Sequence, residues 1–551
     1  MMTTELTIQE RRTQALAAVT APGRQFELVY EDVRGHRMQV FKNRARSLSE
    51  ILAASAARAD REYLVCGDLR LTFSEHHDRV ASLSRVLQEK YGVGKGDRVA
   101  LLAANSAEWV LSFWAVTALG AIAVGMNSMW SARETTDAIE LCTPMLVVAD
   151  EKRRAMLDDP KIPVLTIEED IPRLSLEYSG AELPPAVIEE DDPAIIIFTS
   201  GTTGRAKGAT HSHRNVIAAV DYFAVNDAAA TEMGISRPEQ RRVLLAAPLF
   251  HMMSLHNLVV PRLVFGDAVV IYVGRFDIDK ALQLVEKEQV TQWGMVPTMA
   301  NRLVQLDDIS GYDLSSLTTI SLGSAPSSPS LKTALRKVLP DAAKSLGTTY
   351  GLTESSSAAT IATAADIALY EDSVGTPVMT MQVQIQEISG IQVTDGVEGE
   401  ICLRGPLVML GYWNDANATD AAIDADGWLH TGDIGVMLDG HLRLRSRRSD
   451  LIIRGGENIY PAEVEAALTE HPAVQECAVL GVAHEDLGQE VVAVVVTASD
   501  TTEADLKAFM SERIARYKVP TRWVLTQVEL PRNATGKIVR RGLEAFAPPT
   551  T

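Results

Sequence analysis

The chain has 551 residues, 46% of them apolar and 23% charged, with a formal net charge of −20. That length is too great for one ordinary core and predicts several lobes. The acidic balance excludes a general nucleic-acid binder, which presents a basic face, yet leaves room for a local basic pocket that takes a nucleotide.

Residues 1–45 are polar and mixed, and read as an extension lying on the body. Met1–Arg12 has no apolar signal segment and the C-terminus carries no Ser-Lys-Leu tail, so a cytoplasmic protein is expected. Cys66, Cys142, Cys402 and Cys477 have no metal or redox spacing and read as buried free thiols. Helical period runs over Ser49–Ala59, and Tyr63–Cys66 and Leu69–Phe73 read as strands. Phe73–Tyr91 reads as an amphipathic helix with Ser74 as N-cap. The strand Arg98–Leu102 and a helix ending at Leu119 follow. Trp109–Met126 carries no charge and is long enough to raise a transmembrane question. Gly120 divides it, which favours a buried helix and then a strand, Ala121–Val124. Met145–Ala149 is a further strand, and residues 168–193 read as an acidic surface connection. Strands are also expected at 243–246, 268–272, 292–295 and 318–322. Strand-then-helix order predicts parallel, doubly wound sheets. From Val383 to Arg404 short strands between glycine turns suggest a β-rich subdomain. After Arg443–Asp450 comes a unit of about a hundred residues, the size of a small α/β domain. Its expected pieces are helices at 461–470 and 503–515 and strands at 476–482, 490–497 and 523–526.

The chemistry is concentrated in a few stretches. After the buried run Ala194–Phe198 comes Thr199-Ser200-Gly201-Thr202-Thr203-Gly204-Arg205-Ala206-Lys207-Gly208, followed by a helical pattern over His213–Phe223, so the loop is expected to lead into a helix. Its glycines let the backbone turn sharply and approach a ligand. Hydroxyls, N–H groups and the Lys207 cation can converge on a polyphosphate. A plain surface loop is the alternative, but small and polar residues closing on a lysine directly after a buried strand favour phosphate. The Walker pattern is not met, because Gly208 rather than a hydroxyl residue follows Lys207. Tyr350-Gly351-Leu352-Thr353-Glu354 offers a flat ring to a nucleobase, a hydroxyl to a phosphate and a carboxylate to Mg²⁺. A lone Glu354 would be an ordinary surface glutamate. Gly323-Ser324-Ala325-Pro326 follows a strand, and its small residues let a ring lie against backbone. Asp433, closing His430-Thr431-Gly432-Asp433, could accept ribose hydroxyls or serve as a turn acid. Pro248–Met253 and Trp293–Met299 are methionine-rich and suit an adaptable apolar cavity, as they suit core packing. His251 reads either as a pocket wall or as a packed core histidine. Lys537 closes Pro531-Arg532-Asn533-Ala534-Thr535-Gly536 as a lysine after a turn.

Six of these motifs, in order between about Ser47 and Arg541, resemble those of the adenylate-forming superfamily of acyl-CoA synthetases, aryl-CoA ligases, luciferases and peptide-synthetase adenylation domains. The resemblance implies an α/β fold: a large N-terminal domain, 1–448, of doubly wound αβ subdomains plus the β-rich subdomain. A small mobile α+β C-terminal domain, 449–551, would turn about a hinge near Ser449. Ser446 and Ser449 depart from the usual Gly and Asp or Lys there. The implied function is ATP-dependent acyl-CoA ligation with ATP, Mg²⁺ and coenzyme A. By resemblance the nucleotide is held by Thr199, Ser200, Gly201, Thr202, Thr203, Gly204, Lys207, Gly323, Ser324, Ala325, Thr349, Tyr350, Gly351, Thr353, Asp433, Arg447 and Lys537. Mg²⁺ falls to Glu354 and Thr202, and catalysis to Lys537, Glu354, Lys207 and Thr353. The acyl group falls to His251, Met252, Trp293, Val296 and Gly323, with Gly455 and Gly456 entering for the thioester step. The expected acid is apolar, either a fatty acid or a bulky ring-bearing one, aromatic or steroid-derived. The alternative is an adenylation enzyme loading an amino or aryl acid onto a carrier protein. His251 and Met252 stand where such enzymes carry an acid for the α-amine, and no carrier domain is present. A nucleotide-binding regulator would not need Glu354 and Lys537. No nucleic-acid partner and no transmembrane segment are expected, and a homodimer is left open.

Overall fold

The computed structural model describes the chain except residues 1–6, 158–160, 200–205, 326, 388–389, 448–449, 455–456, 485–486, 498–499, 515, 533–537, 541 and 544–551. Among the described residues the strands form four sheets of two, seven, thirteen and five strands. The N-terminal residues are more than a polar extension. A helix, Ile8–Val19, packs on the long helix His213–Glu232, and Leu28–Val33 pairs with His36–Phe41 in an antiparallel hairpin.

The seven-stranded sheet is built on the parallel strands Ile122–Gly125, Arg98–Leu102 and Leu146–Ala149, all almost wholly buried. Uniformly apolar strands are what a sheet covered on both faces requires. The uncharged stretch is resolved as the helix Ala107–Ala118, buried on nearly every residue, and then Ile122–Gly125. Gly120 makes the turn between them at φ 69°, a left-handed conformation that favours glycine. Among the described residues no helix is long and apolar enough to cross a membrane. The helix Phe73–Tyr91 is capped by Thr72 rather than Ser74: the Thr72 hydroxyl accepts from the Glu75 N–H and the Glu75 carboxylate accepts from Thr72, a reciprocal box.

The thirteen-stranded sheet has a parallel centre. Glu62–Cys66, Ala268–Ile271, Arg242–Leu245, Gln292–Met295, Thr319–Leu322 and Gly347–Gly351 run side by side. The strands of the β-rich segment continue this sheet through Ala358–Ala362, Ser373–Pro377 and His441–Arg447, all antiparallel additions. Gly375 permits the join, since a Cβ there would stand 1.8 Å from the Ile361 carbonyl carbon.

The acidic connection at 168–193 is not merely superficial. Glu190 is only 8% exposed, accepts from Arg44 and from Arg46 at 2.9 Å, and forms an ion pair with Arg214 at 3.0 Å. Arg44 also reaches Glu31, and Arg214 reaches Asp191. This cluster ties the N-terminal hairpin to the chain just before the strand Pro193–Thr199 and to the start of the helix His213–Glu232.

The C-terminal five-stranded sheet combines Val474–His484, Gly488–Thr497, Arg522–Thr526 and the hairpin Ile452–Arg454 with Glu457–Ile459. The helices Pro461–Leu468 and Glu503–Ser511 cover it around a core that includes Val479, Val495 and Leu506. All four cysteines are free thiols, with Cys142, Cys402 and Cys477 buried.

Candidate active site

Some of the residues singled out in the sequence lie at the carboxyl ends of the parallel strands, where open α/β sheets place their ligands. Gly323 and Ser324 directly follow Thr319–Leu322, and Thr349, Tyr350 and Gly351 end the neighbouring strand. Strand alternation then sorts the side chains. Thr349 and Gly351 face an internal cavity of about 240 Å³. Tyr350 points to the other side, where its hydroxyl donates to Asp433 Oδ2 at 2.8 Å. The residues expected at base and ribose are thus joined directly. Asp433 is set by its own turn: its N–H donates to Thr431 Oγ1, whose hydroxyl donates to the Ile401 carbonyl. Arg447 lies opposite Asp433 in the antiparallel register.

Gly351 is dictated by close approach, since a Cβ would sit 2.3 Å from the Ser357 carbonyl oxygen. Ser324, by contrast, holds a left-handed backbone at φ 68° with a side chain that disfavours it. Its hydroxyl reaches the Met253 sulfur at 3.1 Å.

The glycine-rich stretch Thr199–Gly208 departs from the expected layout. Ser200 to Arg205, and with them Gly201, Thr202, Thr203 and Gly204, lie outside the described residues. The chain does not pass from the loop straight into a helix. Lys207–Ser212 returns as a strand antiparallel to Pro193–Thr199, with Thr199 paired to Lys207, and the helix His213–Glu232 begins only after it. Short side chains in this stretch permit the pairing: a Cβ on Gly208 would meet Ile196 at 2.8 Å. Lys207 therefore sits at the mouth of the hairpin.

A residue the sequence reading passed over links the two motifs. Tyr412, in the short strand Gly411–Tyr412, pairs with Ala209 of the returning strand. Its hydroxyl donates to Glu354 Oε1 at 2.7 Å, and its ring lies under Lys207 Nζ, 4.8 Å from the ring centre. Burial, and next the neighbouring Glu354 carboxylate, push the Tyr412 hydroxyl far above its ordinary range, so it remains a donor. An aromatic residue directly after a glycine, in Gly411-Tyr412-Trp413, was the available signal.

The Thr353–Ser355 turn carrying Glu354 is braced from behind. Ser356, left-handed at φ 56°, shares a 2.6 Å hydrogen bond with His211 Nδ1, and its carbonyl accepts from His256 Nδ1 at 2.8 Å. Burial first, then their proximity in the case of His211, hold both imidazoles well below the usual histidine range, His256 at about 4. The turn is thereby supported by neutral rings. Glu400, Cys402 and His430 also bring possible ligand atoms within 4.8 Å of one another. Glu400 Oε1 there accepts from the Gly432 N–H at 2.9 Å and so anchors the turn before Asp433.

The cavity runs from Gly323 and Thr349 into the sheet. Met252, Gly323 and Gly294 line it, as do Asn257 and Met253. The expectation for Trp293 and Val296 is corrected. Trp293 is fully buried in the core beside Phe276, and Val296 is also buried. Alternation turns Gln292 and Gly294 to the cavity and Trp293 and Met295 away from it. His251 does not line the cavity either. It packs on Phe250 with its Nε2 buried and unpartnered, and burial lowers its pKa to about 4. Lys537, Gly455, Gly456 and Ser449 lie outside the described residues; Arg454 and Glu457, flanking the glycine pair, are register partners.

The AMP-binding enzyme family model matches residues 52–413, and the AMP-binding enzyme C-terminal domain matches residues 463–537. The chain is similar to the 2-succinylbenzoate–CoA ligase of Bacillus mycoides, at 33% identity over 489 residues, covering 88% of this chain and 95% of that one. It is also similar to the 3-[(3aS,4S,7aS)-7a-methyl-1,5-dioxo-octahydro-1H-inden-4-yl]propanoyl:CoA ligase of Rhodococcus jostii, at 34% identity over 520 residues, covering 88% and 96%. Among solved structures, the o-succinylbenzoate CoA synthetase of Bacillus subtilis with its acyl-adenylate intermediate matches at TM-score 0.78 and 30% identity, covering 90% of this chain and 97% of that one. The same synthetase has been solved with ATP and magnesium ion.

Proposed function

The chain belongs to the AMP-binding enzyme family, and on that premise we propose that it is an ATP-dependent acid–thiol ligase forming an acyl-CoA. The observation that carries this reading is the contact of Lys207 and Glu354 through Tyr412, together with the Tyr350–Asp433 hydrogen bond, next to a cavity lined by Gly323, Thr349 and Gly351. A carboxylate oxygen of the acid attacks the α-phosphorus of ATP. The bond from that phosphorus to the bridging oxygen breaks, and pyrophosphate leaves with the electron pair. The sulfur of coenzyme A then attacks the acyl carbonyl, the acyl–oxygen bond breaks, AMP leaves, and the thiol proton passes to solvent.

Lys207 and the loop Thr199–Gly204 grip the departing phosphates, and Thr353 adds a hydroxyl. Asp433 accepts from ribose, and Tyr350 with Gly323, Ser324 and Ala325 borders the base. Glu354, a half-buried carboxylate with one oxygen already oriented by Tyr412, fits a hard cation that prefers oxygen ligands. Glu354 and Thr202 would hold Mg²⁺, whose contribution when bound is to offset phosphate charge. Lys537 stabilises charge at the α-phosphate during adenylation. The C-terminal unit then turns near Ser449 to bring Gly455 and Gly456 to the acyl site, a switch between two populated arrangements.

The cavity of about 240 Å³ falls just under the ~300–1,000 Å³ usual for small-molecule sites, which supports a compact, largely apolar acid. The ring-bearing acids named for the relatives agree with that size. Pyrophosphate and AMP release across a panel of aromatic, alicyclic and straight-chain acids, with coenzyme A as acceptor, tests the reading. Lys537→Ala is expected to abolish acyl-adenylate formation while sparing thioester formation from supplied acyl-adenylate. Full adenylation in that variant would overturn the role given to Lys537.

A further inference from the structure

The strand Gly399–Arg404 turns Ile401 and Leu403 into the core, so alternation puts Glu400 and Cys402 together on its other face. The neighbouring strand Leu429–Leu438 sets His430 opposite Cys402 in the antiparallel register. A carboxylate, a thiol and an imidazole are thereby brought to one spot. Cys402 Sγ stands 3.5 Å from His430 Nδ1, and that nitrogen stands 3.4 Å from Glu400 Oε2. The thiol and the carboxylate lie within 4.8 Å of each other. Among the described residues no other group of three His, Cys, Asp or Glu side chains gathers its ligand atoms so closely.

These separations suit metal ligands. Zn²⁺ bonds thiolate sulfur at about 2.3 Å and imidazole nitrogen or carboxylate oxygen at about 2.0–2.2 Å in a tetrahedron, which sets its ligand atoms roughly 3.3–3.6 Å apart. Two of the three edges already have that length, and a rotation of the Glu400 carboxylate closes the third. The far ring nitrogen is fixed as well. His430 Nε2 faces Asp424 Oδ2 at 3.3 Å, and Asp424 Oδ1 accepts from the Asp426 and Trp428 N–H groups at 3.0 and 2.9 Å. An Nε2–H donated to Asp424 leaves a lone pair on Nδ1, aimed at the Glu400 oxygen and the Cys402 sulfur. A carboxylate behind the ring is the outer arrangement that orients a metal-binding imidazole. Cys402 is buried, but the His430 and Glu400 side chains keep 28% and 16% exposure and give an ion its entry.

We propose that Glu400, Cys402 and His430 form a Zn²⁺-binding site, with water completing the tetrahedron and Asp424 as the outer partner of His430. Cys402 binds as the thiolate, and its proton passes to solvent. A thiolate and an imidazole select a softer ion than the Mg²⁺ assigned to Glu354. Glu400 Oε1 stays on the Gly432 N–H, so the bound ion fastens the turn that leads to Asp433.

The test titrates untagged, full-length enzyme, stripped of metal and free of nucleotide, with Co²⁺ as a spectroscopic probe for Zn²⁺. One ion per chain is expected, with the near-ultraviolet band of a thiolate–cobalt bond and the visible bands of a tetrahedral ion, and Zn²⁺ should displace it. Cys402→Ser should abolish the thiolate band, and Cys66→Ser should keep it. Asp424→Asn should weaken Zn²⁺ binding about 10- to 100-fold while keeping the band. Cobalt bound without a thiolate band, or no ion bound at all, overturns the proposal and makes the cluster a protonated His430 between two carboxylates. A band that survives in Cys402→Ser overturns it as well, by moving the ion to another cysteine. So does an unchanged affinity in Asp424→Asn, whose side chain is 34% exposed; that variant locates the ion even if Cys402→Ser folds poorly.

Discussion

Tyr412→Phe isolates the contact that joins the strand Lys207–Ser212 to the Glu354 turn. The substitution removes only the hydroxyl that donates to Glu354 Oε1 at 2.7 Å, and keeps the ring beneath Lys207 and the pairing of Tyr412 with Ala209. A hydrogen bond to a charged group contributes about 1.5–3 kcal/mol, which corresponds to a fall of roughly 10- to 150-fold in the rate of acyl-adenylate formation. Pre-steady-state pyrophosphate release measures that step, and thioester formation from supplied acyl-adenylate should stay near the wild-type rate. A double-mutant cycle with Glu354→Gln separates the pair from indirect effects. Coupling of about 1.5 kcal/mol or more is expected. Coupling near zero, or equal losses in the two half-reactions, would refute the view that Tyr412 acts by orienting Glu354 for the phosphates.

Other consequences can be measured separately. Glu190→Ala removes the carboxylate shared by Arg44 and Arg214, which keep Glu31 and Asp191 as partners, and a loss of about 1.5–3 kcal/mol in unfolding free energy is expected; an unchanged denaturation midpoint would show the cluster to be dispensable. Ser324→Gly relieves the left-handed backbone at φ 68° and should stabilise the protein by about 0.5–1 kcal/mol, so a lower midpoint would contradict the strain assigned there. His76, His211, His213, His251 and His256 are held neutral by burial, with pKa values depressed below the ordinary range. Their folded pKa values lie under the unfolded one, so the stability they permit is intact above about pH 6.5 and is lost as pH falls toward 4, at roughly 1.4 kcal/mol per pH unit for each ring. Urea midpoints at pH 7.5 and 5.5 should differ clearly, and a flat profile across that interval would mean that these rings protonate without unfolding cost.

The stretches proposed for the site stood out in the sequence because their features are local. The pentapeptide ending in Glu354, the turn before Asp433 and the glycine-rich stretch ending at Lys207 each carry backbone demands and donor types within a few residues, and local spacing is what a sequence displays. The alternation of apolar strand and amphipathic helix likewise announced the doubly wound sheets, down to the division of the uncharged stretch at Gly120. Tertiary structure alone decided which face each strand residue presents. Trp293 and Gly294 are neighbours in sequence, yet strand pleating puts the first in the core and the second on the cavity. It also decided the pairing of Lys207–Ser212 back onto Pro193–Thr199, because strand partners are chosen by long-range contacts that local propensity does not encode. Tyr412 reaches Glu354 across 58 positions of chain. That contact comes from burial and strand pairing, and neither exists until the chain has packed.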